Sequence, residues 1–316
     1  MKIGFVYAGQ GSQYVGMGQD FYDRFEEYKN SVDLAQRLLK KAAVDIKALS
    51  FNGPKEELDE TRNTQPAMVT FAVGVTNLLK KAGIKPEYTF GLSLGEYSAL
   101  YCAGVFDEAS VIDIAAKRGS FMQEASYGLD VKMVAVLGLE KEIVVECCKK
   151  ATADFDGTKV VSAVNFNCPG QIVVSGETQG VERACEYLKQ AGAKRIMPLN
   201  VSGPFHTKLM SKAGERLVKE LKKIELNPMQ VKVIFNCLGR EKEDETIDEL
   251  LEKQVQSPVY LEDSIRYMGK QGVDTVVEIG PGKTISKFIK RTLPDMRVLS
   301  IETVEDYERA VAELLA

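Results

Sequence analysis

The residues Gly91-Leu92-Ser93-Leu94-Gly95 match the pattern GxSxG and could supply a nucleophile. They follow a short apolar segment, Tyr88–Phe90, and precede a segment with helical character, Glu96–Cys102. On such a strand-to-helix turn the serine hydroxyl projects outward, and the amides after it can hold a negative oxygen. The pattern predicts that Ser93 is a nucleophile, with a purely structural turn as the alternative, because five-residue matches also arise by chance.

The chain contains a single histidine, His206, in the segment Val201-Ser202-Gly203-Pro204-Phe205-His206-Thr207. A serine hydroxyl is a weak nucleophile until a base removes its proton, and imidazole suits this task near neutral pH. If a histidine activates Ser93, it must be His206. A lone histidine on a loop is more often structural, so the catalytic interpretation depends on its pairing with the GxSxG segment.

Acyl chemistry also needs N–H donors for the oxyanion of the tetrahedral intermediate. The amide of Leu94, directly after the serine, is the first candidate. The second is the amide of Gln10, in the glycine-rich loop 8–13 that follows the apolar strand Ile3–Tyr7. The glycines of this loop let the backbone approach a ligand closely, and a tight turn without function is the alternative.

An α/β fold with a parallel sheet would position these residues, and the order of predicted elements agrees with it. Helices are predicted over 20–43 and over 65–83, the second opening after Asn63-Thr64 with Pro66 just inside its start. Further strands are predicted at 231–235, 275–278 and 297–301. Ligands of such sheets bind at the carboxyl ends of the strands, where the loop 8–13 and Ser93 would lie.

Between about residues 129 and 199 the pattern changes to βαββαβ, the ferredoxin-like order. The strands are predicted at 131–137, 160–165, 171–175 and 195–199, with helices that start at Glu140 and Glu177. We therefore predict a discontinuous large α/β domain, residues 1–128 and 200–316, that carries a small inserted α+β domain, residues 129–199.

Composition and charge argue against several classes of protein. The 41 basic and 45 acidic residues are spread along the chain, which argues against binding to nucleic acid. No stretch approaches the roughly 18 apolar residues of a membrane span, and the first residues do not form a signal peptide, so we expect a cytoplasmic protein that does not bind membranes. Six cysteines without a CxxC pair or nearby histidines predict no metal site.

Six segments together resemble the malonyl-CoA:acyl carrier protein transacylase family, in its order and spacing, over essentially the whole chain. They are GQGSQ at 9–13, GLSLGE at 91–96, KRGSFMQ at 117–123, NFNCPGQIVVSG at 165–176, GPFHT at 203–207 and EIGPGK at 278–283. The resemblance implies that the large domain is α/β-hydrolase-like. It also implies malonyl transfer from malonyl-CoA to the phosphopantetheine thiol of acyl carrier protein for fatty acid synthesis. The reaction would be ping-pong, through a malonyl-serine ester, without a cofactor of its own.

The resemblance also implies roles for individual residues. Ser93 would be the nucleophile, His206 the base, and an oxygen from the region of Gln254 would orient the histidine. Arg118 would bind the free carboxylate of the malonyl group, which a planar guanidinium can grip with two parallel bonds. Without the resemblance, a solvated helix arginine would be the better interpretation of Arg118.

The substrate pocket implied by the family contains Met122, Asn167 and Phe205. A turn-forming asparagine is an equal alternative for Asn167. A bulky Phe205 resembles relatives that use malonyl, whereas those that accept methylmalonyl tend to carry a small residue there. Many relatives have a histidine where this chain has Leu92.

The carrier protein is expected to be acidic and to dock on a basic face. Two clusters are candidates, although charged surface residues are usually only solvated. They are Lys283, Lys287, Lys290 and Arg291 in one, and Lys189, Lys194 and Arg195 in the other. Two other functions stay open on the sequence: a serine esterase or thioesterase that uses the same Ser93–His206 pair, and a catalytically silent acyl-binding protein.

Overall fold

The structure is a computed structural model that describes residues 1–40, 44–199 and 203–316. The described residues form nine strands: β1 Ile3–Tyr7, β2 Tyr88–Gly91, β3 Val131–Leu137, β4 Val161–Cys168, β5 Gln171–Glu177, β6 Arg195–Pro198, β7 Lys232–Val233, β8 Thr275–Ile279 and β9 Arg297–Ile301. They also form fourteen α-helices: α1 Gln19–Arg24, α2 Glu26–Leu39, α3 Ile46–Asn52, α4 Lys55–Leu58, α5 Thr61–Lys81, α6 Gly95–Cys102, α7 Glu108–Ala125, α8 Lys141–Ala153, α9 Thr178–Gln190, α10 Ser211–Leu221, α11 Ile247–Gln256, α12 Leu261–Lys270, α13 Thr284–Thr292 and α14 Val304–Leu315.

The larger sheet is parallel throughout, in the order β7-β2-β1-β8-β9. Its central strands are buried on both faces, as expected when helices cover a parallel sheet. The register sets Tyr7 of β1 opposite both Gly91 of β2 and Ile279 of β8. Three loops therefore leave the sheet side by side at the carboxyl ends of these strands, where ligands bind in such folds.

The smaller sheet is antiparallel, in the order β4-β5-β3-β6. With α8 and α9 this is the ferredoxin-like arrangement that the βαββαβ pattern predicts. The helices pack on the sheet through an apolar cluster that includes Val144, Ala151 and Leu188. The fold class, an α/β protein with a parallel sheet and a separate small α+β unit, is confirmed.

The smaller sheet is joined to the rest of the protein through β4. The amide of Phe166 donates to the carbonyl of Val259 at 2.9 Å, and the ring of Phe166 stacks on Tyr260 with centroids 5.3 Å apart. These contacts set the two sheets around a common cleft. The domain boundaries predicted at residues 128/129 and 199/200 stay a prediction, and residue 200 lies outside the described residues.

Two helix predictions were wrong in their bounds. The helix expected over 20–43 is two helices, because Phe25 takes an extended conformation and packs its ring on Tyr307; residues 41–43 lie outside the described residues. The helix expected to open after Thr64 begins at Thr61, because Gln123 of α7 accepts a hydrogen bond from the amide of Arg62 in its first turn. None of the described helices is long and apolar enough to cross a membrane.

Candidate active site

Ser93 lies on the turn between β2 and α6 with φ at 52°, in the left-handed region that non-glycine residues seldom adopt. The two glycines of the motif make this turn sterically allowed. A Cβ atom at Gly91 would lie 2.0 Å from the carbonyl carbon of Gly95, and one at Gly95 would lie 2.2 Å from the carbonyl oxygen of Tyr7. Glycine is therefore required at both positions to bring α6 under the serine.

Two buried side chains hold the backbone of Ser93. The Ser93 amide donates to Oδ1 of Asn236 at 2.7 Å, and Nε2 of Gln254 donates to the Ser93 carbonyl at 2.8 Å. Asn236 also donates from Nδ2 to the carbonyl of Gly91 at 2.7 Å. Asn236 was not among the site residues predicted from the sequence. Its only signal was a polar residue directly after the strand predicted at 231–235, at the sheet edge where ligands bind.

His206 is buried and hydrogen-bonded at both ring nitrogens. Nε2 lies 2.8 Å from Oγ of Ser93, and Nδ1 lies 2.8 Å from the carbonyl oxygen of Gln254. Because a carbonyl oxygen can only accept, Nδ1 carries the hydrogen and Nε2 is left to accept from the serine hydroxyl. Burial and, second, the positive charge of Arg118 lower the pKa of His206 to about 4, so the imidazole is neutral at pH 7.

Arg118 extends from α7 to the nucleophile and is 1% exposed. Nη2 donates to Oγ of Ser93 at 3.1 Å and to Oε1 of Gln254 at 3.0 Å, and Nη1 donates to Oε1 of Gln65 at 2.9 Å. All three acceptors are neutral. No ion pair among the described residues includes Arg118, and its Nε has no described hydrogen-bond partner. The acidic side chain that interacts with Arg118 is Glu96, but burial raises the pKa of Glu96 to about 8, so this carboxyl is mostly protonated at pH 7. A buried positive charge without a neutralising anion is costly, so this site is suited to an anionic ligand.

The two amides predicted to hold an oxyanion lie on adjacent loops. A Cβ atom at Gly9 would lie 2.5 Å from the carbonyl oxygen of Leu92, so the loop after β1 runs against the turn of Ser93. Within the described part of the chain, neither the amide of Gln10 nor that of Leu94 donates a hydrogen bond. The side chain of Gln10 is held instead, since Nε2 donates to the hydroxyl of Thr61 at 3.0 Å.

A cavity of about 490 Å³ opens beside Ser93, between the loops of the parallel sheet and the face of the antiparallel sheet. Met122, Asn167 and Phe205, the predicted pocket residues, all line it, as does Leu92. Oδ1 of Asn167 is buried and has no hydrogen-bond partner among the described residues. An unpaired buried acceptor at a cavity wall is available to a ligand.

The two basic clusters lie at different distances from this cavity. Thr284, Ile285 and Phe288 of α13 line the cavity, whereas Lys283, Lys287 and Lys290 of the first cluster lie on another face of the same helix and line a separate groove of about 400 Å³ with residues of β9 and α14. Within that cluster Arg291 is already engaged, because it donates to Oε1 of Gln171 at 2.9 Å and to the carbonyl of Pro169 at 3.0 Å. The second cluster is exposed at the end of α9 and the start of β6, and its residues do not line the cavity; they are Lys189, Lys194 and Arg195.

Across residues 1–40, 44–199 and 203–316, no group of three or more His, Cys, Asp or Glu side chains is placed to hold a metal ion. The groups available for chemistry in the described site are a serine hydroxyl, a neutral imidazole, two loop amides and a buried guanidinium. Here a serine with a left-handed backbone conformation lies between a parallel strand and a helix, and its hydroxyl is hydrogen-bonded to a histidine. This arrangement is typical of enzymes that form an acyl-serine intermediate.

Comparisons with known proteins narrow this class. The sequence profile of the acyl transferase domain family matches residues 4–313, so the chain belongs to that family, and its relatives place it among the malonyl CoA-acyl carrier protein transacylases. The protein of that name from Bacillus subtilis is 40% identical over 316 residues, covering 99% of this chain and 97% of its own.

Solved structures agree with this assignment. The malonyl CoA-acyl carrier protein transacylase of Clostridium perfringens superposes with a TM-score of 0.94 at 40% identity, covering 100% of this chain and 98% of its own. A malonyl-transacylase in complex with its type II PKS acyl-carrier protein superposes with a TM-score of 0.93 at 35% identity, covering 99% of this chain and 100% of its own. The family resemblance drawn from the six segments is confirmed.

Proposed function

We propose that this protein transfers a malonyl group from malonyl-CoA to the phosphopantetheine thiol of an acyl carrier protein, for fatty acid synthesis, through a malonyl ester of Ser93. The observation that carries the proposal is the buried guanidinium of Arg118, which contacts the nucleophile and has only neutral partners among the described residues. A malonyl thioester supplies the missing anion, because its far end is a carboxylate. The relatives named as malonyl CoA-acyl carrier protein transacylases support the same substrate pair.

In the first half-reaction, Oγ of Ser93 bonds to the thioester carbon while its proton passes to Nε2 of His206. The carbonyl oxygen becomes negative and accepts hydrogen bonds from the amides of Leu94 and Gln10, a contribution of typically a few kcal/mol for each donor. The carbon–sulfur bond then breaks. The thiolate of coenzyme A takes the proton from His206 and leaves, and the malonyl group stays on Ser93.

The second half-reaction reverses these steps with another thiol. The phosphopantetheine thiol of the carrier protein gives its proton to His206, and its sulfur bonds to the ester carbon. The bond from that carbon to Oγ of Ser93 breaks, and His206 returns the proton to the serine. Two products leave in separate steps, so the kinetics are ping-pong. No cofactor takes part beyond the phosphopantetheine that the partner carries.

Substrate binding also adjusts the base. In the free enzyme the charge of Arg118 contributes to the low pKa of His206. A malonyl carboxylate paired with Arg118 neutralises that charge, which raises the pKa of His206 and makes it a stronger base once substrate is bound. The guanidinium thereby couples recognition of the carboxylate to activation of the serine. Met122, Asn167 and Phe205 shape the rest of the acyl pocket.

The partner of Nδ1 favours transfer over hydrolysis. In an ordinary hydrolase triad a carboxylate accepts from this nitrogen and stabilises the imidazolium, whereas here the acceptor is the neutral carbonyl of Gln254. The base is correspondingly weaker, and a thiol, which loses its proton far more readily than water, is the better second nucleophile for it. A serine esterase or thioesterase is the function that would replace this proposal if water discharged the ester. The cytoplasmic location stays a prediction.

The test is intact-protein mass spectrometry after brief exposure to malonyl-CoA, with Ser93→Ala as the matched control and holo carrier protein added as a chase. We expect one added malonyl group on the wild type, none on Ser93→Ala, and loss of the group from the enzyme together with its appearance on the carrier. Release as free malonate without carrier would identify a hydrolase. Absence of any adduct would overturn the acyl-serine mechanism.

A further inference from the structure

We propose that Asn236 is a positioning residue that holds Ser93 in its reactive backbone conformation, and that Glu96 in turn holds Asn236. Neither residue lines the cavity, so neither touches the acyl group. The inference rests on the proposed acylation of Ser93. It adds two residues that affect this reaction through the backbone of Ser93 and do not contact the substrate.

The side chain of Asn236 matches both sides of the turn that carries the serine. Its Oδ1 accepts from the amide of Ser93, and its Nδ2 donates to the carbonyl of Gly91, each at 2.7 Å. An amide group is the one common side chain that offers an acceptor and a donor side by side for this purpose. With Ser93 at φ 52°, these two bonds fix the peptide units on both sides of Leu92.

Glu96 fixes the backbone from which that side chain projects. Its Oε2 accepts from the amide of Asn236 at 2.5 Å, and the carbonyl of Asn236 accepts from the amide of Tyr260 at 2.8 Å. The amide of Glu96 donates to the carbonyl of Ser93 at 3.1 Å. Ser93, Asn236 and Glu96 therefore form a closed ring of hydrogen bonds, in which each residue is bonded to the other two.

This ring is needed because the contacts to Oγ do not hold the backbone, and Gln254 holds it only at the carbonyl of Ser93, whereas Asn236 holds the amide. His206 and Arg118 both meet Ser93 at its hydroxyl, and a hydroxyl can rotate or shift while its backbone relaxes. A non-glycine residue released from the left-handed region would relax toward negative φ. That relaxation would move Oγ away from Nε2 of His206 and would turn the amide of Leu94 at the same time.

The experiment compares Asn236→Ala with wild type in single-turnover acylation by malonyl-CoA, followed by rapid quench and intact mass. We expect acylation to slow about 100-fold. The dissociation constant of malonyl-CoA, measured by calorimetry in the non-reacting Ser93→Ala background with and without Asn236→Ala, should change less than about twofold. A purely structural role would instead weaken binding and rate together. Thr89→Ala, a buried polar residue of the same strand β2, serves as the control and should acylate at the wild-type rate.

A second pair of variants tests the link through Glu96 and replaces the first test if Asn236→Ala does not fold. Glu96→Ala should slow acylation, and Glu96→Gln should recover most of the lost rate, because its amide oxygen can still accept from the amide of Asn236. Acylation of Asn236→Ala or Glu96→Ala within threefold of wild type would overturn the inference. If wild type itself forms no ester, the proposed function fails; if wild type is acylated and the variants match it, this inference alone fails.

Discussion

Nη2 of Arg118 lies 3.1 Å from Oγ of Ser93, so a buried positive charge stands next to the atom that would carry the acyl group. The free carboxylate of a malonyl ester on Oγ is one methylene beyond the ester carbonyl. We therefore expect Arg118 to hold this carboxylate while the ester stays within reach of His206. The positive charge of Arg118 also lowers the pKa of the nearby His206, second to the effect of burial.

Arg118→Ala should lose malonyl transfer selectively. Charge-assisted hydrogen bonds contribute about 1.5–3 kcal/mol each, so we expect kcat/KM for malonyl-CoA to fall about 100-fold or more, while acetyl-CoA gains relative to malonyl-CoA. The measurement is the ratio of the two kcat/KM values. Arg216→Ala is the matched control, because Arg216 is a surface residue paired with Glu124. Equal losses on both substrates would refute the carboxylate clamp.

The pH profile of acylation should reflect the depressed pKa of His206. A base is lost when it is protonated, so kcat/KM for malonyl-CoA should stay near its maximum as the pH falls through 6.5, the ordinary value for histidine. It should decline only as the pH approaches about 4. Removal of the neighbouring charge by Arg118→Met should move the inflection to higher pH, with acetyl-CoA as the substrate. An inflection near 6.5 in wild type would contradict the depressed value.

Much of this site could be predicted because its signals are local or unique in the chain. The GxSxG segment lies between a strand and a helix, and His206 is the one histidine available, so the pair could be named although 113 residues separate them. The βαββαβ order could be predicted from the sequence because each strand and helix carries its own periodicity and turn signals. The bounds of β3 and β9 agree with their predictions to the residue.

The features that could not be predicted depend on contacts between segments that are distant in the sequence. Asn236 follows β7, a strand of two residues, and nothing local distinguishes it from an ordinary turn asparagine. Its role appears only when α6 and the turn of Ser93 are brought against it. The break at Phe25 likewise depends on its packing against Tyr307 of α14, because the helical periodicity of the segment continues through it.

Phe205→Ser should widen the acyl preference of the enzyme. Phe205 lines the cavity and is buried beside His206, so a smaller side chain leaves room for an extra methyl group. One methyl group in a pocket is worth about 1–3 kcal/mol, which predicts a tenfold or greater rise of methylmalonyl-CoA relative to malonyl-CoA. The competing substrates are assayed in one mixture. An unchanged ratio in a folded variant would show that another wall of the cavity sets the preference.

Glu96 should make the protein less stable as the pH rises. Burial raises the pKa of Glu96 to about 8, against the opposing effects of the Asn236 amide and the charge of Arg118. Above about pH 4.5 the unfolded state loses the proton of Glu96, whereas the native state keeps it. The contribution of Glu96 to the free energy of unfolding therefore declines as the pH rises toward 8. The free energy of unfolding of Glu96→Gln relative to wild type should rise over this window, by at most about 1.4 kcal/mol per pH unit. The free energies are measured by urea unfolding at pH 5 and pH 8. The same difference between Glu96→Gln and wild type at both pH values would contradict this prediction.

The basic cluster on α13 should be the docking surface for the carrier protein, because α13 also lines the cavity that the phosphopantetheine arm must enter. Replacing Lys283, Lys287 and Lys290 together by Ala should raise KM for the carrier about tenfold at low salt and weaken its salt dependence, since these charges steer an acidic partner. Arg291 is kept, because it joins α13 to the loop that follows β4. Acylation by malonyl-CoA is measured separately to confirm an intact site. The matched variant in which Lys189, Lys194 and Arg195 are replaced by Ala should leave KM for the carrier unchanged. If this second variant raises KM and the first does not, the carrier docks on the small sheet. If KM of the wild type for the carrier does not change with salt, electrostatic docking at either cluster is refuted.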